Sequence, residues 1–339
     1  MNIGEKRNMH KKFFKVTIYS WLLLSLFSCN NDSSYYDLKD FAIKDTSKVI
    51  KFKISDTEDN SIVISRSVSS NKWIIEGSKY TANKSSVDLL METFYRIRVK
   101  QDVPKSAFNT VINRLSVRHK KVEIFLENNK AFKTWFIGSP TQDHLGTYML
   151  LQNGNNKSSK PYITYKPGMY GSLDVRFFTD WKGWRSPRVF NYPNPKSIKN
   201  ISVNFSEKPK ESYTISYKDD TLKLFDLNNK ELNNYDSIQV KHYLSHFENV
   251  SYNKIMFEKQ NVMDSIFKSK PHYYFELTDS SNKVTKVEFW KIKDIDSSTG
   301  WDAEHGYIRV NKNNELLRAQ YFNWEILFKP LSFYTRRYY

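Results

Sequence analysis

An α+β fold in two tandem duplicated domains is what this sequence predicts, each domain a mainly antiparallel sheet with one or two amphipathic helices. Three observations carry that expectation. Short runs alternate apolar and polar residues, the pattern of strands with one buried face. Two stretches, one in each half, instead carry an apolar stripe at helical spacing. The strand and helix patterns also recur in the same order at a near-constant offset.

In the first half, Ile50, Phe52 and Ile54 alternate as one face of a strand. Thr57-Glu58-Asp59-Asn60 reads as a turn, Ile62-Val63-Ile64 as a second strand and Trp73-Ile74-Ile75 as a third. Ser85-Ser86 can cap a helix whose buried stripe is Val87, Leu90, Met91, Phe94 and Ile97. A further helix starts at Pro104, with Ala107, Val111, Ile112 and Leu115 apolar. Val122, Ile124 and Leu126, a turn at Asn128-Asn129, then Trp135 and Ile137 form a hairpin.

The second half repeats this order. Ile201, Val203 and Phe205 stand for the first strand, Tyr213 and Ile215 for the second, Leu222 and Leu224 for the third. The helix recurs as Val240, Tyr243, Leu244, Phe247 and Val250, at the same spacing as its counterpart. Tyr273, Phe275 and Leu277, a turn at Asp279 to Asn282, then Val287 and Phe289 repeat the hairpin. The repeats are placed at 48–192 and 197–339, joined near Pro193-Asn194-Pro195. The helix at Pro104 is expected only in the first. The stretch Phe322 to Phe328 is left open between strand and helix.

Ahead of both repeats stands a leader. Lys6, Arg7, Lys11, Lys12 and Lys15 precede the apolar run Val16–Phe27, which ends in Ser28-Cys29. A basic region, a short apolar core and a small residue before the cut are the parts of a secretory signal peptide. The run falls short of the ~20 residues that a helix needs to cross a bilayer. Cys29, the only cysteine, follows the small residue as a lipobox requires, although Phe27 is larger than the residue usual there. Residues 1–28 are therefore expected to be removed, Cys29 to be lipidated, and residues 29–47 to form a polar tether. Multiple acyl chains exceed what stable anchoring needs.

Composition narrows the function classes. The chain carries a formal charge of +17, and a basic chain can suggest nucleic acid. Export argues against that partner, because the mature chain leaves the cytoplasm. The basic residues are also scattered. With Cys29 lipidated no thiol remains for a disulfide, so packed cores must hold the fold, and aromatics at 16% supply them. Only Asp32 lies close after Cys29, and this weak acidity favours the periplasmic face over the cell surface.

The chain resembles a family of Bacteroidota cell-envelope lipoproteins classed only as a domain of unknown function. Asp40 to Thr46, Lys72-Trp73 to Tyr80-Thr81-Ala82, Val99-Lys100 and Val103 to Ala107 carry the resemblance. Gly146 to Leu151 and Arg176 to Asp180 continue it. It is best over 40–192. It implies an envelope protein and assigns no catalytic residue.

Candidate sites are few. Asp143-His144-Leu145-Gly146-Thr147-Tyr148 and Asp302-Ala303-Glu304-His305-Gly306-Tyr307 each set an acid beside a His, then Gly, then Tyr. Carboxylate, imidazole and phenol together could support acid–base or metal chemistry. The plainer reading is a hairpin loop whose Gly supplies an unusual backbone angle. His242 and His246 have the i, i+4 spacing of a zinc helix but lack the metalloprotease Glu. Trp181-Lys182-Gly183-Trp184-Arg185 pairs aromatic and cationic groups, as a glycan or partner contact would. Equally, it could be a Trp pair closing the first domain.

The expectation is a lipoprotein of the outer membrane with no catalytic residue, no metal and no cofactor, acting as a binding or scaffold subunit. Its partners are then the membrane lipid and an envelope protein or glycan. The alternatives are an envelope hydrolase or metal-dependent enzyme using the His144 and His305 loops, or a glycan-binding module using Trp181 and Trp184.

Overall fold

The computed structural model describes residues 38–335 apart from 69, 128, 129 and 219. The leader, Ser28 and Cys29 lie outside the described residues, as do the turn residues Asn128 and Asn129. Among the described residues no helix is long and apolar enough to cross a membrane.

The chain opens with β1 (Lys51–Ser55), β2 (Ser61–Arg66), β3 (Trp73–Ile75) and α1 (Lys84–Arg96). Next come β4 (Arg98–Asp102), α2 (Lys105–Val117), β5 (Lys120–Phe125), β6 (Lys133–Pro140) and β7 (Thr147–Asn153). β8 (Asn156–Lys157), β9 (Tyr162–Tyr165), α3 (Trp181–Trp184) and β10 (Arg188–Phe190) follow. The second half runs β11 (Ile198–Phe205), β12 (Tyr213–Lys218), β13 (Thr221–Asp226), β14 (Glu231–Leu232) and α4 (Ser237–Ser245). It continues with β15 (Val250–Ser251), β16 (Lys254–Ile255), α5 (Gln260–Lys268), β17 (Tyr273–Asp279) and β18 (Val284–Lys293). β19 (Trp301–Val310), β20 (Leu317–Gln320), α6 (Tyr321–Trp324) and α7 (Leu331–Thr335) complete it.

Local sequence explains most of these elements. In β1 the strand period buries Phe52 and Ile54 and turns Lys51 and Lys53 outward. The α1 stripe buries Val87, Leu90, Phe94 and Ile97. Asp236 caps α4, its Oδ1 accepting from the amides of Ile238 and Gln239 at 3.0 Å each. The helical stretch then ends earlier than its stripe suggests. His246–Glu248 tightens into a 3-10 turn and Val250 joins β15.

The fold class is α+β with antiparallel sheets. One sheet has the order β3-β2-β1-β5-β6-β7-β9-β4, with β8 on β7. The other has the order β14-β13-β12-β11-β17-β18-β19-β20-β16. A short ladder joins β10 to β15. Both expected hairpins form: Val122 pairs with Trp135 across β5 and β6, and Tyr273 with Phe289 across β17 and β18.

Four features differ from the sequence expectation or settle what it left open. The helix α2 is not peculiar to the first half, since α5 occupies the same place ahead of β17. Its apolar residues, Val262, Met263, Ile266 and Phe267, are not fully buried. β4 and β16 were not expected, because both are short and polar and each ends its sheet. Phe322–Phe328 contains no strand: α6 is followed by a 3-10 turn, Glu325–Leu327, which together bury Trp324 and Leu327.

The fourth concerns the tether expected at 29–47. Phe41 and Ile43 alternate as apolar residues and are buried, the Ile43 amide donating to the Phe94 carbonyl at 2.8 Å. The Lys133 ammonium, 3% exposed, donates to the carbonyls of Asp40 and Ala42 and lies 3.3 Å from the Asp40 carboxylate. Burial pushes its pKa down, and Asp40 pulls it partly back. Packed structure therefore begins within the expected tether.

The described residues pack as two compact units, 38–61 with 91–179, and 62–90 with 180–335. The second unit thus takes in segments that the sequence reading gave to the first repeat. Backbone bonds hold two of them together: Ser186 N donates to Thr81 O at 2.9 Å and Asn83 N to Trp184 O at 2.6 Å. In the first unit Trp135 is buried with Phe41, Phe94 and Phe177 edge-on to it. In the second, Phe289 lies among Tyr273, Tyr321, Trp324 and Phe328. Tyr213, Tyr243 and Tyr334 pack edge-on beside each other, and burial raises all three phenol pKa values.

Candidate functional site

A polar cluster of the second unit is built on α3. Asp180 caps it, accepting from the Lys182 amide at 3.1 Å. One turn later the Arg185 amide closes it on the Trp181 carbonyl at 3.0 Å. This short turn sorts its two indoles. Trp184 is 0% exposed, whereas Trp181 is 36% exposed and stacks on Tyr80, 5.6 Å between centroids and 7° between planes. A platform of two exposed tryptophans is therefore not formed, because Trp184 belongs to the core.

Arg185, 9% exposed, donates from Nη1 to both carboxylate oxygens of Glu315, at 3.0 and 2.9 Å. Its guanidinium carbon lies 3.9 Å from the Tyr80 ring centre and 5.4 Å from that of Tyr252. The Tyr80 hydroxyl donates to Glu315 at 3.3 Å. Burial raises the pKa of both phenols, opposed by Arg185 and reinforced by Glu315. Both remain protonated at neutral pH, and Tyr80 serves as the donor to Glu315. The cluster is a brace, with charge matched inside it.

Beside the brace runs a groove of about 450 Å³. Its wall carries the cations Lys182, Arg185 and Lys254, and the carboxamides Asn83, Asn253, Gln320 and Asn323. Phe257 stands at it 69% exposed, with the Lys182 ammonium 3.8 Å from its ring centre. Glu315, Lys254 and Phe257 were missed by the sequence reading, and Tyr80 entered it only through the family resemblance. No spacing or motif joins them to Trp181.

The two His loops do different work in their own units. Asp143 accepts from the Thr141 hydroxyl and, at 3.0 Å, from the Leu145 amide. Those bonds, the hydroxyl first, hold its carboxyl below the ordinary range. His144 adopts a positive φ of 55° and is exposed. A cavity of about 390 Å³ nearby is lined by Lys100, Thr141, Asp143 and Tyr148, and His144 is not part of its wall.

His305 is not in a loop. It sits within β19, opposite Gln320, where the register with β18 shifts. Its Nδ1 is 3.8 Å from Asp302, whose Oδ1 already accepts from the amides of Glu304 and His305 at 2.7 and 2.8 Å. In both motifs the acid caps backbone.

The glycines of these motifs also differ from expectation. Neither Gly146 nor Gly306 has a positive φ; in the first motif it is His144 that takes the left-handed conformation. What the glycines provide is space. A Cβ on Gly146 would lie 2.6 Å from Ile163 Cγ2, and one on Gly306 would lie 2.3 Å from Phe289 Cζ.

No family model, curated protein or solved structure matches this chain.

Two other His settings carry further geometry. The His242 and His246 rings meet edge-on at 4.8 Å, and among the described residues no three His, Cys, Asp or Glu side chains gather as a metal site. His272 lines a cavity of about 230 Å³ with Glu207, Lys291 and Tyr273. Its Nδ1 accepts from the Lys291 amide at 3.2 Å, leaving Nε2 3.6 Å from Glu207.

Burial pushes the His272 pKa down, Glu207 partly restores it and Lys291 opposes that recovery. The unfolded chain therefore binds a proton near the ordinary value of about 6.5, and the folded chain only at lower pH. Between those values the unfolded state holds more protons, so stability falls as pH falls. His246, also lowered by burial, adds the same sign. The melting temperature should drop by a few degrees between pH 7.5 and pH 5. His272→Gln, which keeps an acceptor for the Lys291 amide, should flatten that dependence. An unchanged slope would exclude His272 as its source.

Proposed function

We propose that this chain is a non-enzymatic binding subunit of the bacterial envelope, tethered to the outer membrane through lipidated Cys29 on its periplasmic face. The observation that carries the binding role is the groove beside α3, whose wall is fixed by the Arg185–Glu315–Tyr80 brace. A rigid, preformed site reduces the ordering cost of binding. The acids of the His144 and His305 motifs are engaged in backbone caps, which favours a structural role over acid–base chemistry.

Tandem duplication is part of the same reading. Matching β1, β2 and β3 to β11, β12 and β13, and β4 to β16, makes the two sheet orders equivalent, with β14 added at one edge. Each half also places one helix after its third strand and a second before its central hairpin. Two binding units of common ancestry suit a scaffold or accessory subunit.

The test is crosslinking followed by affinity capture from envelopes, done with the natural chain and with Cys29→Ser. The natural chain should fractionate with membranes and recover a reproducible envelope partner. Cys29→Ser should release it into the soluble fraction. Unchanged membrane retention of Cys29→Ser would refute the anchor, and repeated failure to capture any partner would count against the binding role.

A further inference from the structure

We propose that the groove beside α3 binds a carbohydrate bearing a negative charge, such as a uronate-containing or sulfated oligosaccharide. The proposal rests on the binding role given above and names the chemistry of the ligand. Three independent features of the groove converge on it.

The first is the carboxamides. Gln320 and Asn323 make no side-chain hydrogen bond to other described residues, so donor and acceptor are both open to a ligand. Asn83 Oδ1 accepts from the Ser85 amide and Asn253 Oδ1 from the Arg318 guanidinium. Both leave their NH₂ donors for the groove. A carboxamide presents a donor and an acceptor in one plane, which matches the paired hydroxyls of a sugar ring.

The second is charge. Arg185 is matched by Glu315, whereas Lys182 and Lys254 have no carboxylate within ion-pair distance among the described residues. Asp180, also on the wall as the α3 cap, keeps its negative charge. Lys182, Arg185 and Lys254 still outnumber Asp180 and Glu315, so the groove keeps an excess of positive charge that an acidic ligand would meet.

The third is apolar surface held in place. Phe257 lines the groove at 69% exposure, apolar ring surface on which the C–H face of a sugar can lie. Trp181, between the wall residues Asp180 and Lys182 in sequence, is not itself part of the wall, and its ring is held by its stack on Tyr80. The Lys182 ammonium lies 3.8 Å from the Phe257 ring centre and 5.8 Å from that of Trp181, so charge and stacking surface sit side by side. The volume of about 450 Å³ falls in the ~300–1,000 Å³ range of ligand sites.

The experiment titrates the full-length protein in detergent with a panel of defined oligosaccharides: galacturonate, glucuronate–N-acetylglucosamine and sulfated forms. The methyl-esterified galacturonate and tetra-glutamate serve as controls. Heat of binding and tryptophan fluorescence are read together. At least one acidic oligosaccharide should bind, and esterification should weaken it. Lys182→Gln and Phe257→Ala should each reduce its affinity about tenfold, with unchanged melting temperatures. Absence of binding across the panel overturns the proposal, as does equal binding of tetra-glutamate, which would mark a peptide site. Affinities that ignore both substitutions overturn it too. Partner capture from envelopes would be untouched by any of these results, so the binding role itself stands or falls separately.

Discussion

Arg185→Ala is expected to lower the unfolding free energy by about 3 kcal/mol, the lower end of the range for removing one partner of a buried ion pair. The lower end applies because the Glu315 side chain keeps 25% of its exposure, and water can reach the carboxylate left behind. The substitution also takes a guanidinium off the rings of Tyr80 and Tyr252. Arg185→Met combined with Glu315→Gln should recover most of the loss, since it keeps the volume and removes both charges together. Denaturant unfolding of Arg185→Ala and of the double variant decides the matter. If the double variant is as unstable as Arg185→Ala, packing on the tyrosines outweighs the ion pair.

Gly306→Ala should cost about 1–3 kcal/mol through overpacking, with the upper part of that range expected. The added Cβ would meet Phe289 Cζ at 2.3 Å and the Trp290 carbonyl oxygen at 2.9 Å. Phe289 cannot swing away easily, because Phe328 and Tyr321 have ring centres 4.9 and 5.6 Å from its own. Gly146→Ala meets the Cγ2 methyl of Ile163 at 2.6 Å but no backbone atom closer than 3.4 Å, and should be milder. Adding Phe289→Leu to Gly306→Ala should return part of the lost stability, measured by thermal unfolding. No recovery would mean that the backbone contact with Trp290 sets the cost.

The two motifs show where residue patterns inform and where they stop. Asp, His, Gly and Tyr in order fall at the entry to β7 in one half and within β19 in the other. What the pattern could not reveal was the reason for each residue. A glycine needed for backbone angle and one needed to admit a neighbouring ring are identical in sequence, and the ring here comes from β18.

The strand and helix periods of β1, α1, β11 and α4 were legible because each buries one face against a core. β4 and β16 were not, because edge strands with polar residues alternate little. The groove was the least legible part. Trp181 announced itself, but Tyr80, Glu315 and Phe257 reach it through folding alone, and nothing in a Trp-Lys-Gly-Trp run tells which indole will be buried.

Lys133 has a mechanical consequence. A pull on residue 38, directed away from the sheet, meets the Lys133 contacts with Asp40 and Ala42 together with the Ile43–Phe94 hydrogen bond. These links lie within a few residues of one another, so they share the load and give way as a group. Phe41 would leave the Trp135 core in the same event. The N-terminal segment is therefore clamped to the first unit by bonds that such a pull would load together, and its release would uncover the core around Trp135.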